Sequence, residues 1–130
     1  MLDGKGHTVS GLSLRGDAGN TAYEVGLFGV VDRGVVRNLI VEGARADVHN
    51  ETYGNVGIIA GSLKNGLLAY CAVLGGAIKA DIGVDSSAGG LVGLNRGTIR
   101  YCFNSCDVTI YTGIYETGNA KCCFPYAGRG

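Results

Sequence analysis

No run of 18 apolar residues occurs in the 130-residue sequence, so a helical membrane span is not predicted. No apolar stripe persists at helical spacing for ten residues, which removes an amphipathic-helix architecture. Proline is almost absent, the single copy being Pro125 near the carboxy terminus. Neither charge sign is in excess, with 11 basic and 11 acidic residues, so bulk attraction to nucleic acid or to an anionic membrane surface is excluded as a driving force. The opening Met1-Leu2-Asp3-Gly4-Lys5-Gly6 meets an acidic residue at once and has no apolar core, so it does not read as a secretory leader. Two locations follow as expectations: cytoplasmic if the chain is complete, extracellular or cell-surface if it is a piece of a longer repeat protein.

What is abundant is glycine, 24 residues against a usual share of roughly 7%. It has no three-residue period, so collagen is excluded, and turns between many short strands account for it. A 46% hydrophobic content in 130 residues is enough for one continuous core, and a single domain over 1–130 is expected.

A recurring unit organises the chain. Gly89-Gly-Leu-Val-Gly-Leu-Asn-Arg-Gly-Thr-Ile-Arg-Tyr-Cys102 has imperfect copies starting at Gly57 and ending at Cys71, and starting at Gly26 and ending at Leu39. Laying His7 to Gly16 over Gly34 to Gly43, and Lys121 to Phe124 over Arg100 to Phe103, extends the series at both ends. One equivalent position then reads Leu12, Leu39, Cys71, Cys102, Cys123. A recurrence at roughly 20 to 50 positions marks a solenoid, propeller or repeat array.

Within each unit, short segments rich in Val, Ile, Leu and Tyr are broken every few residues by Gly, Asn or Asp, the pattern of strands and turns. The tripeptides Asp32-Arg33-Gly34, Lys64-Asn65-Gly66 and Asn95-Arg96-Gly97 fall at one phase and are expected as turns between two strands. A unit of about three short strands cannot bury its apolar face alone and must stack on its neighbours, about 4.8 Å apart. The expected fold is an all-β, right-handed parallel β-helix of about four to five rungs, with 114–130 as a partial last rung or cap. Two inward ladders are expected: Leu12, Leu39, Cys71, Cys102, Cys123, and Val9, Val36, Leu68, Ile99. A propeller would need far more residues, and the hexapeptide rhythm of a left-handed helix is missing.

At Gly26-Leu27-Phe28-Gly29 and Gly90-Leu91-Val92-Gly93 the chain resembles the GLUG-motif family of bacterial surface proteins, adhesins and secreted proteases. Ile58-Ile59-Ala60-Gly61 departs from the motif at its first position. The opening Leu2 to Leu12 is similar to the phrase that introduces such repeats and other pectin-lyase-like β-helices. The resemblance covers about residues 2 to 113. It implies a right-handed β-solenoid serving as a stalk or binding module, and it carries over no catalytic residue.

Candidate sites are few. Cys102 and Cys106 with Cys122 and Cys123 offer four thiolates, yet the simpler reading is that Cys71, Cys102 and Cys123 are free thiols in one buried ladder, so no metal is assigned. Asp47 and Asp81 take comparable places after Ala, with Arg45 and Lys79 two residues earlier, and alternating charge on a solvated sheet explains them. His7 and His49 share no evident acid partner, so no catalytic dyad is assigned. No phosphate loop, calcium repeat or threonine ladder is present, and no cofactor is expected. Arg33, Lys64 and Arg96 share the turn phase, and Arg37, Arg100 and Lys121 a phase four residues on. They are expected to form a basic seam, with Glu24, Asp47, Glu51, Asp81, Asp85 and Glu116 elsewhere around the coil. Such a seam suits an anionic glycan or an acidic protein.

The expected function is a non-catalytic structural or adhesive module. The competing readings are a small carbohydrate lyase or hydrolase, and self-assembly through open solenoid ends.

Overall fold

The computed structural model describes residues 1–17, 23–50, 54–82, 86–111 and 121–122. They form strands and turns with no helix, and every strand pairing among them is parallel. The chain visits four sheets in rotation and then returns one level higher. The first sheet holds Leu2–Asp3, Phe28–Asp32 with Val35–Arg37, Ala60–Ala69 and Val92–Arg100. The second holds Thr8–Ser10, Ile40–Glu42, Ala72–Leu74 and Phe103–Asn104, and the third Ser13–Asp17, Arg45–Asn50, Ala77–Ile82 and Asp107–Tyr111. Tyr23–Val25, Gly54–Gly57, Ser87–Gly89 and Lys121–Cys122 make the fourth. This fourth strand per unit was not expected, because segments such as Gly-Asn-Val-Gly are poor in the residues that mark strands.

Register explains the repeat. Val36 pairs with Leu68 and Leu68 with Ile99, so equivalent positions of adjacent levels become lateral neighbours. Ile40 pairs with Ala72 and Ala72 with Phe103, which places Leu39, Cys71 and Cys102 in one column as expected. Leu39 and Cys71 are buried, and Cys102 packs against the same core.

The two ends of the expected series are corrected. Val9 lies beside Val41, and Leu2 takes its place next to Val36. Leu12 belongs with Ala44, its carbonyl accepting from Arg45 N at 2.9 Å, so His7 is the first-level counterpart of Leu39. Between the matches at Leu2 and Val9 lies a two-residue turn at Lys5 and Gly6, both left-handed with φ of 52° and 79°, that the later levels lack. At the other end Lys121 pairs with Ser87 on the fourth sheet, not with Arg100. Cys123 and the remainder of the expected cap lie outside the described residues.

Two of the three tripeptide turns also differ from expectation. Asp32-Arg33-Gly34 does separate two strands, but Lys64-Asn65-Gly66 and Asn95-Arg96-Gly97 lie within single long strands as an irregularity in the ladder.

The core fills with small aliphatics. Ile58, Ile59, Leu63, Leu68, Val73 and Ile78 are fully buried, each burial stabilising by about 1.5 to 3 kcal/mol. These residues sit on the third level, which is covered above and below. Val9, Leu12 and Leu14 below, and Ile99, Val108 and Ile110 above, pack on that core but stay partly exposed.

Where the fourth sheet meets the first, backbones touch. A Cβ on Gly61 would come within 2.8 Å of Val25 N, and one on Gly93 within 2.6 Å of Val56 N. This is the physical reason for the last glycine of the two later copies, Gly61 and Gly93; at Gly29 the nearest atom would lie 3.7 Å away. The first glycine is different. Phe28 pairs with Ala60 and Ala60 with Val92, so Gly26, Ile58 and Gly90 share a column. Ile58 fills the core on its level, whereas a side chain at Gly90 would run into Asn104. Beside this junction Ser62, fully buried, donates to Glu24 Oε2 at 2.6 Å, and Asn55 Nδ2 donates to Glu24 Oε1 at 3.1 Å.

Candidate functional site

The corner between the first and second sheets demands a left-handed residue at each level. Asn38, Tyr70 and Tyr101 supply it, with φ of 55°, 54° and 55°. Asparagine tolerates this conformation, while a tyrosine there is strained by about 1 to 2 kcal/mol. The two tyrosine rings stack with centroids 5.1 Å apart and planes 14° apart, and they remain 59% and 71% exposed. Two residues on, Phe103 points outward at 58% exposure above Ala72 and Ile40. Two exposed arginines border these aromatics, Arg37 and Arg100, which flank Ala69 on adjacent levels. Ala69 itself is buried.

Register does not make the residues of the expected basic seam one continuous column. Lys64 and Arg96 are neighbours, but their counterpart one level below Lys64 is Asp32, and Arg33 is displaced by one residue into the turn. Arg33 Nε lies 3.8 Å from Asp32 Oδ1. Below Arg37 sits Asp3, whose Oδ2 accepts from Arg37 Nε at 3.3 Å. The Asp3 carboxyl is held below the usual range, first by the Asn38 side-chain amide and then by Lys5 N. Lys121 lies on the fourth sheet and does not join the seam. The positive character is concentrated at Lys64, Arg96 and Arg100 on the upper levels.

The outer face of the third sheet is a grid of charge. Arg15, Asp47, Lys79 and Thr109 form one column, and His49 stands beside Asp81 in the next. Asp47 and Asp81 are thus not equivalent, which corrects the sequence reading: Asp47 pairs with Lys79, and Arg45 with Ala77. His49 does have an acid partner, its Nδ1 lying 2.8 Å from Asp81 Oδ2, both side chains about half exposed. Their separation along the chain, a full circuit of the four sheets, hid this pair, since only the register brings them together. Glu51, Asp85 and Glu116 lie outside the described residues, while Asp3 and Asp32 stand within the seam that was expected to be free of acids.

Among the described residues no group of three metal-ligating side chains converges. Cys71 and Cys102 are free thiols in adjacent levels, and Cys106 is a third in a different column, above Gly76. Cys102 is lowered to about 7, first by its interaction with the Cys71 thiol and then, against burial, by backbone groups. Cys71 is pushed up by the same neighbour and by burial. Burial and the nearby Asp107 carboxylate raise Cys106 to about 11. Cys122 falls on a strand of the fourth sheet, and Cys123 lies outside the described residues.

The exposed aromatics were missed in the sequence, although a signal existed: Ala-Tyr-Cys and Arg-Tyr-Cys recur at the phase where the earlier copy has Arg-Asn-Leu. A tyrosine aligned with a turn asparagine marks a surface corner. The chain matches no family model, no curated protein and no solved structure. No described helix is long and apolar enough to cross a membrane.

Proposed function

We propose that the chain is a right-handed parallel β-solenoid working as a non-catalytic adhesive module of a bacterial surface or secreted protein, and that it holds an anionic glycan along the corner between the first and second sheets. The observation that carries this reading is the pair of strained, exposed tyrosines with Phe103 beside Arg100. Aromatic surfaces pack on the apolar faces of sugar rings, and guanidinium groups take carboxylates in paired hydrogen bonds. The nearly constant step between paired positions of adjacent levels supports the solenoid, and the Gly-Leu-hydrophobic-Gly tetrapeptides resemble repeats of surface proteins.

Titration with polygalacturonate and with a neutral glucan tests it. Binding of the acidic polymer, weakened by salt and lowered about tenfold in Tyr101→Ala or Phe103→Ala, is the expected result; tenfold is about 1.4 kcal/mol, the size of one aromatic contact. Equal binding of both polymers, or binding untouched by these substitutions, overturns it.

A second reading, a small carbohydrate-active enzyme, is favoured by the His49 and Asp81 pair, since a carboxylate-oriented imidazole is the arrangement of a general base. Release of unsaturated or reducing sugar ends by the pure chain, abolished in His49→Gln, would establish it in place of adhesion.

A further inference from the structure

Cys71 and Cys102 occupy like positions one level apart. Phe103 N donates to Cys71 O at 3.0 Å, which locks the register of the two levels beside the thiols. The Cys71 Sγ donates to Ala69 O at 3.3 Å and contacts Val36 O at 3.7 Å; the Cys102 Sγ repeats this with Arg100 O at 3.4 Å and Leu68 O at 3.6 Å. Repetition of the same geometry puts the two Cα atoms about one strand spacing apart, about 4.8 Å, inside the range that a disulfide spans.

In a straight parallel ladder, side chains of adjacent levels point the same way and resist bridging. Bridging Cys71 and Cys102 therefore requires a χ1 rotation at one of them. Each lies between two strands, directly after a left-handed tyrosine. Access is also graded: Cys71 is buried, and Cys102 is partly open to solvent.

We infer that Cys71 and Cys102 are a reversible dithiol–disulfide pair that fastens one level of the stack to the next, with Cys102 as the attacking sulfur and Cys71 as the resolving one. A small disulfide such as oxidised glutathione is the oxidant. The Cys102 thiolate attacks one glutathione sulfur, forming a mixed disulfide and expelling the first glutathione thiolate. Cys71 gives its proton to water, and its sulfur attacks the Cys102 sulfur, forming the protein disulfide and expelling the second glutathione thiolate. The two protein thiols lose two electrons and two protons, and oxidised glutathione becomes two molecules of reduced glutathione. The depressed Cys102 and elevated Cys71 thiols agree with this order of attack. Cys106, buried beside Asp107, is expected to stand aside.

Incubation of the native chain with oxidised glutathione, followed by peptide mapping under non-reducing conditions, tests the inference. The expected result is loss of two hydrogens, a linked pair of peptides carrying Cys71 and Cys102, and a higher Tm that reverts with dithiothreitol. In Cys71→Ser, Cys102 is expected to stop at the glutathione adduct. A wild-type chain that halts at the same adduct overturns the inference, as does a link from Cys102 to any other cysteine. So does a native chain in which iodoacetamide labels Cys102 no faster than Cys106. Binding of glycan has no part in any of these readouts, so this inference and the adhesive function stand or fall separately.

Discussion

Two corners of the molecule face the same backbone requirement and meet it differently. Between the second and third sheets the left-handed residue is Gly11, Gly43 or Gly75, with φ of 70°, 66° and 61°. A Cβ at any of the three would meet nothing within 4 Å. Glycine stands there for its conformation alone, the choice that carries no strain. Between the first and second sheets the same role falls to Asn38, Tyr70 and Tyr101. Chain geometry would be satisfied by glycine or asparagine there too, so the tyrosines are not explained by the turn. Their rings lie on the outside and contribute little to the core. Strained, exposed tyrosines at this corner are what the proposed adhesive function calls for.

The junction of the fourth and first sheets gives the sharpest contrast and the largest expected effect. A Cβ on Gly57 would collide with the Ala60 carbonyl and come within 2.7 Å of Gly93 N and Val92 Cα, all backbone that cannot swing aside. Gly57→Ala is expected to lose about 3 kcal/mol, measured by urea denaturation. Gly29→Ala, where the nearest atom is 3.7 Å away, should leave the midpoint close to wild type. Equal losses at both would break the view that this junction is closed by backbone contact.

Next in size is Ser62→Ala, which deprives the Glu24 carboxylate of its shortest hydrogen bond at a part-buried corner. A loss of about 1 to 2 kcal/mol is expected in the same assay. A change within error would mean that the polar network does not fasten the junction.

Tyr101→Asn compares the two kinds of corner directly. Relief of about 1 kcal/mol of backbone strain offsets a ring stack of similar worth, so thermal stability should move by less than about 1 kcal/mol. Glycan binding should nevertheless fall. A strong destabilisation would show that the aromatic column is structural, and the corner would lose its claim as a binding surface.

Two pH effects are expected to be smaller. Alkylation of Cys102 should rise with pH around a midpoint of about 7, because the thiolate predominates above that value and is lost as pH falls below it. Cys106, with its thiol near 11, should remain unlabelled at about pH 8. Asp3 has a depressed carboxyl in the folded chain, so its contribution is present above the ordinary carboxyl range and lost as pH falls through the lower folded value. Asp3→Asn should flatten that part of the acid-unfolding curve, an effect near the limit of calorimetry because the group is exposed and screened.

Legibility in the sequence followed the same division. The columns Val36, Leu68, Ile99 and Leu39, Cys71, Cys102 were readable because the step between middle levels is nearly constant and every inward position is apolar. The first level was misaligned because Val-Ser-Gly-Leu at 9–12 imitates Val-Arg-Asn-Leu at 36–39, although register sets Val9 beside Val41. The basic seam was overdrawn because phase locates a charge but not its neighbour: Asp3 and Asp32 entered through register alone. For the same reason His49 and Asp81 could not be paired before the third sheet was in place.

Local pattern in this chain determined that strands form, how long each turn of chain runs, and which side chains face inward, since those depend on short-range alternation and on a repeated step. Which charges meet, which thiols become neighbours, and that two tyrosines stack in the open were decided only when levels were laid on one another. A shift of one residue between levels changes every contact across them while leaving each strand's own pattern intact, so no local reading can contain that information.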